Sequence, residues 1–273
     1  MTPALDPPVA LASLSGEADA EWAAAGAPWA GCAVLGGVAV DDPSRAAARR
    51  MVADRDRSEF LPPDPLAFVA AQLDAAADLP LRPAVNVRAT GPEPIRAVAE
   101  VCADRGAMVE INAHCRQAEL CAAGCGERLL ADTDRLRAQV GAAAETGATV
   151  SVKLRAEVEG VDLAATARTL TDAGASVLHV DAMDSEPVVA DVVEAAAAES
   201  AGDAAARPLV VANNGVRDEA TVREYARHGA DAVSVGRPSD DPEVLAQVAA
   251  AARAHLPGDP AATASPPESE VQP

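Results

Sequence analysis

Aromatic residues are nearly absent from this sequence. Its 273 residues include two tryptophans, one tyrosine and two phenylalanines, which is 2% of the chain. The hydrophobic fraction is nevertheless 49%, so the core must be built from Ala, Val and Leu. A chain of this length can bury a large core made of such side chains.

Long hydrophobic runs are also missing. No apolar stretch approaches the ~20 residues that cross a bilayer. The N-terminal segment MTPALDPPVALASL lacks the basic start of a secretory signal. We therefore expect a cytoplasmic protein without a membrane partner.

Positive charge is scarce. The 22 basic residues face 42 acidic ones, the net charge is −20, and Lys153 is the only lysine. A surface this acidic is typical of proteins from very salty cytoplasm, which predicts a halophilic source. The same charge argues against an extended basic surface for nucleic acid.

Cysteines are few and unevenly spaced. Five of them in a cytoplasmic protein do not suggest a disulfide framework. Cys115, Cys121 and Cys125 are spaced in a way that matches neither zinc pairs nor common cluster motifs, so we predict no metal site. Cys121 and Cys125 fit small packing residues, whereas Cys115 follows a predicted strand, where a thiol can act on a substrate.

The sequence does contain a regular alternation of strand and helix patterns. The predicted strands are 9–14, 32–37, 83–89, 108–114, 149–155, 176–182, 208–214 and 232–237. The predicted helices are 19–26, 65–77, 93–105, 132–146, 162–174, 188–200, 218–229 and 241–255. Eight such units predict an α/β fold, a closed (β/α)₈ TIM barrel, with an open doubly wound sheet as the alternative. We assign residues 1–256 to the barrel, 257–273 to a disordered acidic tail and 41–64 to a charged connection that could act as a lid.

Polar residues gather at the predicted C-terminal strand ends, where such barrels form their active sites. Two of the four histidines and the only lysine are among them. The set comprises Ser13, Ser15, Asn86, Arg88, Asn112, His114, Cys115, Lys153, Arg155, His179, Asp181, Asn213, Asn214 and Arg237. Asp181 or Asn214 could simply cap a helix, but a lone lysine among buried neighbours needs a partner. His228 and His255 fall on predicted helices and fit solvated surface positions.

The last two units predict a phosphate site. The segments NNG (213–215) and GRPS (236–239) offer free backbone N–H groups and an arginine. Barrel phosphate sites commonly form at these two loops. Glycine at 215 and 236 would let the backbone approach a phosphate closely.

Assembled in order, these segments resemble the dihydrouridine synthases, which are FMN-dependent barrels that reduce uracil in transfer RNA. The resemblance covers roughly residues 9 to 240. ALASLSGEAD is similar to that family's APMAGVTD, VNVRATGPEPI to VQLxGxxP, and EINAHCRQ with GCGERLL to NxGCP with GxGxxLL. VSVKLR resembles VxVKxR, VLHVDA resembles VHxR, and VVANNG and ADAVSVGR resemble IANGxI and ADxVMIGR.

The resemblance implies roles for individual residues. Cys115 would be the catalytic general acid, protonating one carbon of a pyrimidine double bond while reduced FMN delivers hydride to the other. The FMN site would comprise Ser13, Asn86, Lys153, His179, Asn213, Gly215, Gly236 and Arg237. The pyrimidine substrate would meet Asn112, His114 and Arg155, and NADPH or NADH would be the electron donor.

The sequence also departs from the family. His114-Cys115-Arg116 stands where the family has Gly-Cys-Pro, and a predicted tail stands where the family has a helical RNA-binding domain. Transfer RNA and a smaller pyrimidine therefore both stay open as substrates. A dihydroorotate dehydrogenase-like enzyme and a non-catalytic flavin- or phosphate-binding barrel are the alternatives. Composition gives no oligomeric state.

Overall fold

The computed structural model, which describes residues 3–54, 58–199 and 207–259, is a closed barrel of parallel strands. Each strand pairs with the next one in the chain, and the first pairs with the last. The strands are β1 (Val9–Leu11), β2 (Cys32–Ala39), β3 (Arg82–Arg88), β4 (Met108–Asn112), β5 (Thr149–Arg155), β6 (Val177–Asp181), β7 (Leu209–Asn213) and β8 (Ala232–Val235). The predicted (β/α)₈ barrel is confirmed, and the open-sheet alternative is wrong because β1 and β8 close the ring.

Helices surround this barrel, and an apolar layer fills the space between them and the strands. The α-helices are α1 (Ala20–Gly26), α2 (Asp42–Asp54), α3 (Pro65–Ala75), α4 (Pro92–Ala103), α5 (Ala118–Ala122), α6 (Glu127–Leu130), α7 (Thr133–Ala144), α8 (Leu163–Asp172), α9 (Val188–Glu199), α10 (Glu219–Arg227) and α11 (Pro242–His255). Two 3₁₀ turns cover Ala27–Trp29 and Arg237–Asp240.

Helix boundaries follow their capping residues. The Asp162 carboxylate accepts a hydrogen bond from the Ala165 N–H at the start of α8, and Asp218 forms a capping box with Thr221 at the start of α10. Gly174, just after α8, has a φ of 101°, a conformation that glycine adopts without a Cβ clash. The eight predicted helices are present within a few residues.

Strand ends differ more from the prediction. Six strands end one to three residues early: β1 ends at Leu11 rather than at 14, and β4 ends at Asn112 rather than at 114. The residues beyond these ends therefore lie in loops at the mouth of the barrel, where their side chains need not alternate between the inside and the outside of the barrel.

The barrel interior is layered. Strand residues two apart share a face, so the inward-facing residues of each strand lie at successive heights along the barrel axis. Residues of different strands at a similar height form a tier. The bottom tier is apolar and consists of Leu5, Ala10, Cys32, Val34, Ala84, Met108, Val177, Leu209, Val211 and Ala232. Above it lies a polar tier made by Asn86, Glu110, Ser151, His179 and Ser234, all buried. Above this tier the barrel opens.

The segment 41–64 corrects one prediction. It is not a loose charged connection: residues 42–54 form α2, whose Ala47, Ala48 and Met51 are buried against Cys115, Leu120 and Cys125. The rest of the segment returns along the mouth, where Phe60 pairs with Val38 in a parallel bridge. Residues 55–57 lie outside the described residues. The segment thus forms one wall of the mouth.

The opposite end of the barrel holds a buried ion pair. Arg207 donates two hydrogen bonds of 2.7 Å to the Asp231 carboxylate, which also accepts from the Val210 N–H. The Gly258 N–H donates to the Asp231 carbonyl, and the Gly258 carbonyl accepts a hydrogen bond from the Leu5 N–H. The start of the predicted tail is therefore joined to the barrel, whereas 260–273 lie outside the described residues.

Within the described ranges, no helix is both long enough and apolar enough to cross a bilayer.

Candidate active site

Two cavities that share part of their lining open at the C-terminal ends of the strands. The larger has a volume of about 780 Å³ and the smaller about 410 Å³, which is within the size range of small-molecule sites. Both are lined by Ser13, Leu14, His114, Lys153 and Arg237. These five residues come from four different βα units, so the closed barrel brings together what the sequence separates.

Lys153 lies at the junction of the two cavities. Its side chain comes from β5 and is 4% exposed, and no hydrogen bond joins its ammonium group to any residue in the described ranges. Burial lowers the pKa of Lys153, while the nearby carboxylates of Glu110 and Asp181 raise it. A buried cation without a hydrogen-bond partner facing an open cavity is suited to a polar or anionic ligand.

Glu110 lies in the tier below Lys153 and was not predicted as a site residue. Its carboxylate accepts hydrogen bonds from Asn86 Nδ2 at 2.8 Å, Ser151 Oγ at 3.1 Å and His179 Nδ1 at 2.7 Å. Burial alone would raise the pKa of Glu110, but His179, Lys153 and the Asn86 amide outweigh it and lower the pKa to about 2. The side chain is therefore a buried carboxylate below the cavity. The sequence did contain a sign of this role, because Glu110 is a charged residue within the buried strand pattern MVEIN.

Asn86 and His179 belong to this tier rather than to the cavity wall. Asn86 donates to Glu110 and accepts from Asn112 Nδ2 at 2.9 Å, so both ends of its amide are used. The His179 ring contacts Glu110 through Nδ1 and Ser234 Oγ through Nε2, the latter at 2.7 Å. Neither residue lines either cavity. The sequence predicted both residues at the mouth of the barrel, and the structure has them one tier lower.

Cys115 lies against the wall of the larger cavity, three residues beyond β4. Its thiol is buried beside Arg88, which lines the same cavity. Burial raises the pKa of Cys115 to about 11, against the opposing effect of the Arg88 guanidinium. The sulfur is therefore a protonated thiol at neutral pH, which suits a proton donor better than a nucleophile.

The backbone turn that carries Cys115 is fixed from two sides. Asn112 Oδ1 accepts from the N–H groups of Cys115 at 3.1 Å and His114 at 3.3 Å. On the other side, the Glu127 N–H donates to the Cys115 carbonyl at 2.9 Å. Gly126 makes this approach possible, because a Cβ there would lie 2.1 Å from the Cys115 carbonyl oxygen. Thus α5 and α6, which were not predicted, hold the thiol in place.

His114 forms a pair with Asp181 at the rim of both cavities. Nε2 of the ring lies 2.6 Å from Asp181 Oδ2, and Arg155 lies 3.5 Å from the same oxygen. Burial lowers the pKa of His114 to about 4, and Lys153 and Arg155 act in the same direction. Burial would raise the pKa of Asp181, but the hydrogen bond from His114 and the two cations keep it low. A neutral imidazole thus meets an ionised carboxylate.

The predicted phosphate residues line the smaller cavity. They are Asn213, Gly215, Gly236 and Arg237. A Cβ at Gly236 would meet no atom within 4 Å, so there is open space above its backbone. Asn213 Nδ2 already donates to Ser234 Oγ at 2.6 Å, whereas the exposed Arg237 guanidinium has no ion pair within the described ranges. Arg217, which sequence reasoning did not select, lines the same cavity.

Three neighbouring mouth loops hold non-glycine residues in left-handed conformations. They are Glu157, Met183 and Asn214, with φ values of 61°, 55° and 99°. The loops are tied together: Asn214 Nδ2 donates to the Met183 carbonyl at 2.7 Å, and Ser185 Oγ donates to Glu157 at 2.7 Å. Such backbone strain collects at functional sites, and residue type alone gave no sign of it here.

Arg155 contacts the same Asp181 oxygen as His114 but does not line either of the two cavities at the mouth. It lines a neighbouring groove of about 450 Å³ together with Arg116, Arg128 and Cys121. Cys125 is fully buried, as a packing residue would be. His228 ends α10 and His255 lies 3.1 Å from Glu219, both outside the mouth. No group of three or more metal-ligating side chains occurs in the part of the chain that the structure describes.

Solved structures similar to this chain share its fold. No protein-family model matches this sequence, and no curated protein matches it. Among solved structures, the chain is similar to an IMP dehydrogenase/GMP reductase-like protein from Corynebacterium glutamicum, with a TM-score of 0.56 and 16% identity over 93% of this chain and 71% of that one.

Two reductases show a similar likeness. A morphinone reductase mutant in complex with tetrahydroNAD has a TM-score of 0.58 and 16% identity, over 88% of this chain and 86% of that one. A variant of NCR from Zymomonas mobilis has a TM-score of 0.58 and 16% identity, over 89% and 87%. At this level of identity, the comparisons show a shared barrel fold.

Proposed function

We propose that this protein is an FMN-dependent oxidoreductase that reduces the C5=C6 double bond of a uracil ring, in transfer RNA or in a smaller pyrimidine. One observation carries the proposal: a protonated thiol, Cys115, and a buried cation, Lys153, line the same cavity. The names of the similar structures, which include a dehydrogenase/reductase-like protein and morphinone reductase, support an oxidoreductase.

The cavity has the properties that an FMN site needs. Lys153 and Ser13 line both cavities, and they would hold the flavin ring. The phosphate would be held by the backbone at Gly215 and Gly236 and by the guanidinium of Arg237, which has no ion pair among the described residues. Asn213 lines the same cavity and is held by its hydrogen bond to Ser234 Oγ. Arg217 adds a second guanidinium to the cavity wall. When bound in reduced form, FMN supplies the hydride for one carbon of the double bond.

Cys115 has the properties of the matching proton donor. In the proposed reaction, the S–H bond breaks and the proton goes to the carbon that does not receive hydride, which leaves a thiolate. Arg88 lies beside the sulfur and favours its ionised form, so it lowers the cost of this step. Proton uptake from water then restores the thiol.

The tier below the cavity supports this arrangement indirectly. Asn86 and His179 both bond to the Glu110 carboxylate, which faces Lys153. We therefore propose them as positioning residues for Lys153 rather than as direct contacts of the cofactor. A reduced nicotinamide, NADPH or NADH, is the proposed electron donor, and the tetrahydroNAD named in the morphinone reductase structure is consistent with this choice.

Substrate contacts are proposed from the remaining wall. Asn112 and His114 line the larger cavity beside Cys115, and Arg155 reaches from the neighbouring groove. Asn112 already donates one hydrogen bond to Asn86 and accepts through Oδ1 from the Cys115 N–H, so it would meet the substrate through its second amide N–H.

The test combines spectroscopy with one substitution. Purified protein should show a bound FMN spectrum, and Cys115→Ala should keep that spectrum and its reduction by NADPH. Re-oxidation of the reduced flavin by uridine or by transfer RNA should fall about 100-fold or more in this variant, since general acid catalysis contributes about 10²–10⁴-fold. Cys102→Ala, on α4 and away from the cavities, is the control.

Two results would contradict the proposal. A protein that takes up no FMN would sink the flavin assignment. A Cys115→Ala variant that re-oxidises as fast as the parent would leave a non-catalytic flavin- or phosphate-binding barrel, or an enzyme that uses another acid.

A further inference from the structure

The His114–Asp181 pair determines which ring nitrogen of His114 carries a proton. An ionised carboxylate only accepts hydrogen bonds, so the 2.6 Å contact with Asp181 Oδ2 requires a hydrogen on Nε2. The neutral imidazole has only one N–H. Nδ1 therefore carries a lone pair.

This lone pair has no partner within the described part of the protein. The His114 side chain is 25% exposed and lines both cavities, and every hydrogen bond of its ring goes through Nε2. His114 is also the residue immediately before Cys115. An acceptor atom is therefore presented to whatever molecule Cys115 protonates.

The donors that surround His114 complete the arrangement. Lys153 lies at the junction of the cavities, Arg88 lies beside Cys115 and donates to Glu59 and Ser15, and Arg155 forms an ion pair with Asp181. Cations of this kind bind carbonyl oxygens, but they cannot accept a hydrogen bond from a ring N–H. An uncharged acceptor among cationic donors matches the edge of a cyclic amide or imide, where N–H and C=O stand side by side.

We infer that His114 Nδ1, held as an acceptor by Asp181, is a specificity determinant that selects substrates with a ring N–H beside a carbonyl. For a uracil ring, this group is the N3–H imide. The inference rests on the proposed function, which it deepens by naming the recognised edge. It also predicts a requirement that the proposed hydride and proton transfers do not impose, because both go to carbons of the C5=C6 bond and not to N3.

The first test reads the tautomer directly. In FMN-loaded protein with ¹⁵N-labelled histidine, the two ring nitrogens of His114 should report a neutral Nε2–H form at pH 7. The signals are assigned by their loss in His114→Leu. Asp181→Ala should remove the preference for Nε2–H. An imidazolium or an Nδ1–H tautomer at pH 7 in the parent protein would overturn the inference, whichever substrate the enzyme uses.

The second test compares uridine with 3-methyluridine, which lacks the N3–H. Re-oxidation of reduced flavin by the parent protein should favour uridine about tenfold or more, as expected for the loss of one buried hydrogen bond. His114→Leu should lose this preference while still binding FMN, and His228→Leu, at the end of α10, should keep it. If only RNA is reduced, a short RNA with either base at the reactive position replaces the nucleosides.

The outcomes separate the two proposals. Equal rates with the two nucleosides in the parent protein, or an unchanged preference in His114→Leu, would overturn the role of His114 while the reductase stands. If neither nucleoside nor either RNA re-oxidises the flavin, the pyrimidine function fails, and the tautomer measurement still decides whether His114 presents an acceptor.

Discussion

Glu110 is the buried charge around which the polar tier is organised. Its carboxylate only accepts, so it fixes the His179 proton on Nδ1 and leaves Nε2 to accept from Ser234. Ser234 Oγ in turn accepts from Asn213 Nδ2. One charge thus sets the direction of hydrogen bonds from β4 across to β7. It also lies close enough to Lys153 to oppose the effect of burial on that residue's pKa.

We predict that Glu110→Gln destabilises the fold. Glutamine keeps the shape but removes the charge that balances Lys153, and breaking a buried ion pair typically costs about 3–5 kcal/mol. Urea unfolding at pH 7 measures this difference. Glu145→Gln is the control, since Glu145 belongs to an exposed pair with Arg96, and it should leave the midpoint unchanged.

The difference between the parent and Glu110→Gln should depend on pH. The folded pKa of Glu110, about 2, is below its ordinary value of 4.5. The carboxylate therefore contributes fully above about pH 4.5, and the contribution is lost as the pH falls toward 2. Unfolding curves at pH 7, 4 and 3 should converge progressively. A constant difference across this range would contradict the assignment of the ionised form to Glu110.

At this scale the sequence predicted which residues are polar and near the mouth, but not the height of each in the barrel. Lys153, Cys115 and Arg237 do line one cavity. Asn86 and His179 are one tier lower, because the height of a residue depends on strand register, which is set by barrel tilt and stagger. In the observed register Asn86 pairs with Glu110, and Lys153 pairs with His179. No local pattern encodes those pairings.

Among the elements, the loop after β4 most directly controls the position of the thiol. The short helices α5 and α6 turn back on Cys115, and Gly126 between them has a φ of 60°. A Cβ at this glycine would lie 2.6 Å from the Cys115 sulfur as well as 2.1 Å from its carbonyl oxygen. Backbone and thiol would both have to move to accept it.

We predict that Gly126→Ala impairs the reaction more than it impairs folding. Displacement of a catalytic group by about 1 Å can cost roughly 100-fold in rate, so flavin re-oxidation by the pyrimidine should fall by about that factor while FMN stays bound. Gly106→Ala is the matched control, because Gly106 has a φ of 65° but no atom within 4 Å of a Cβ.

Both variants place a Cβ on a residue with positive φ, but only Gly126→Ala also brings that Cβ against Cys115. Because Gly126 has a ψ of −138°, urea unfolding reports the backbone strain of each variant separately. Stopped-flow re-oxidation and urea unfolding of both variants separate these effects. Equal catalytic rates in the two variants would show that the Gly126 contact does not position the thiol.

The helix α2 shows why some elements could not be predicted. Its buried residues are Ser44, Arg45, Ala47, Ala48 and Met51, which have the spacing of an amphipathic helix. Alanine and serine contribute little hydrophobic contrast, however, and the surrounding arginines and aspartates dominate the segment. In a chain whose core is largely alanine, short or charged helices lose the signal that reveals them, whereas the valine-rich strands keep theirs.

Over the whole molecule, basic residues are unevenly distributed. The chain has a net charge of −20, yet the cations exceed the acids in the lining of the mouth cavities and the adjoining groove. The cations are Arg88, Arg116, Arg128, Lys153, Arg155, Arg217 and Arg237, and the acids are Glu17, Glu127, Glu157, Glu159 and Asp181. Salt screens exposed charges more than enclosed ones. This small positive excess in the basic mouth can therefore attract an anionic ligand even where the acidic outer surface is fully screened.

The acidic surface leads to a prediction about salt. With 42 acidic and 22 basic residues, the folded state is opposed by repulsion among carboxylates, and screening shortens the Debye length from about 10 Å at 0.1 M to 3 Å at 1 M salt. We expect the thermal midpoint to rise with KCl between 0.1 M and 3 M, and secondary structure to be lost on dialysis into low salt, as followed by circular dichroism.

A neutral osmolyte distinguishes screening from general solvent effects. Sucrose is excluded from protein surfaces and stabilises without screening charge, so at matched osmolality it should recover only part of the KCl effect. Neutralising several exposed carboxylates, such as those of Glu145 and Glu219, should reduce the salt dependence without altering the FMN spectrum. If sucrose matches KCl, repulsion is not what destabilises the fold, and the charge of −20 serves solubility alone. If KCl is the stronger, the basic mouth must bind its ligand in high salt, where only enclosed cations such as Lys153 keep most of their attraction.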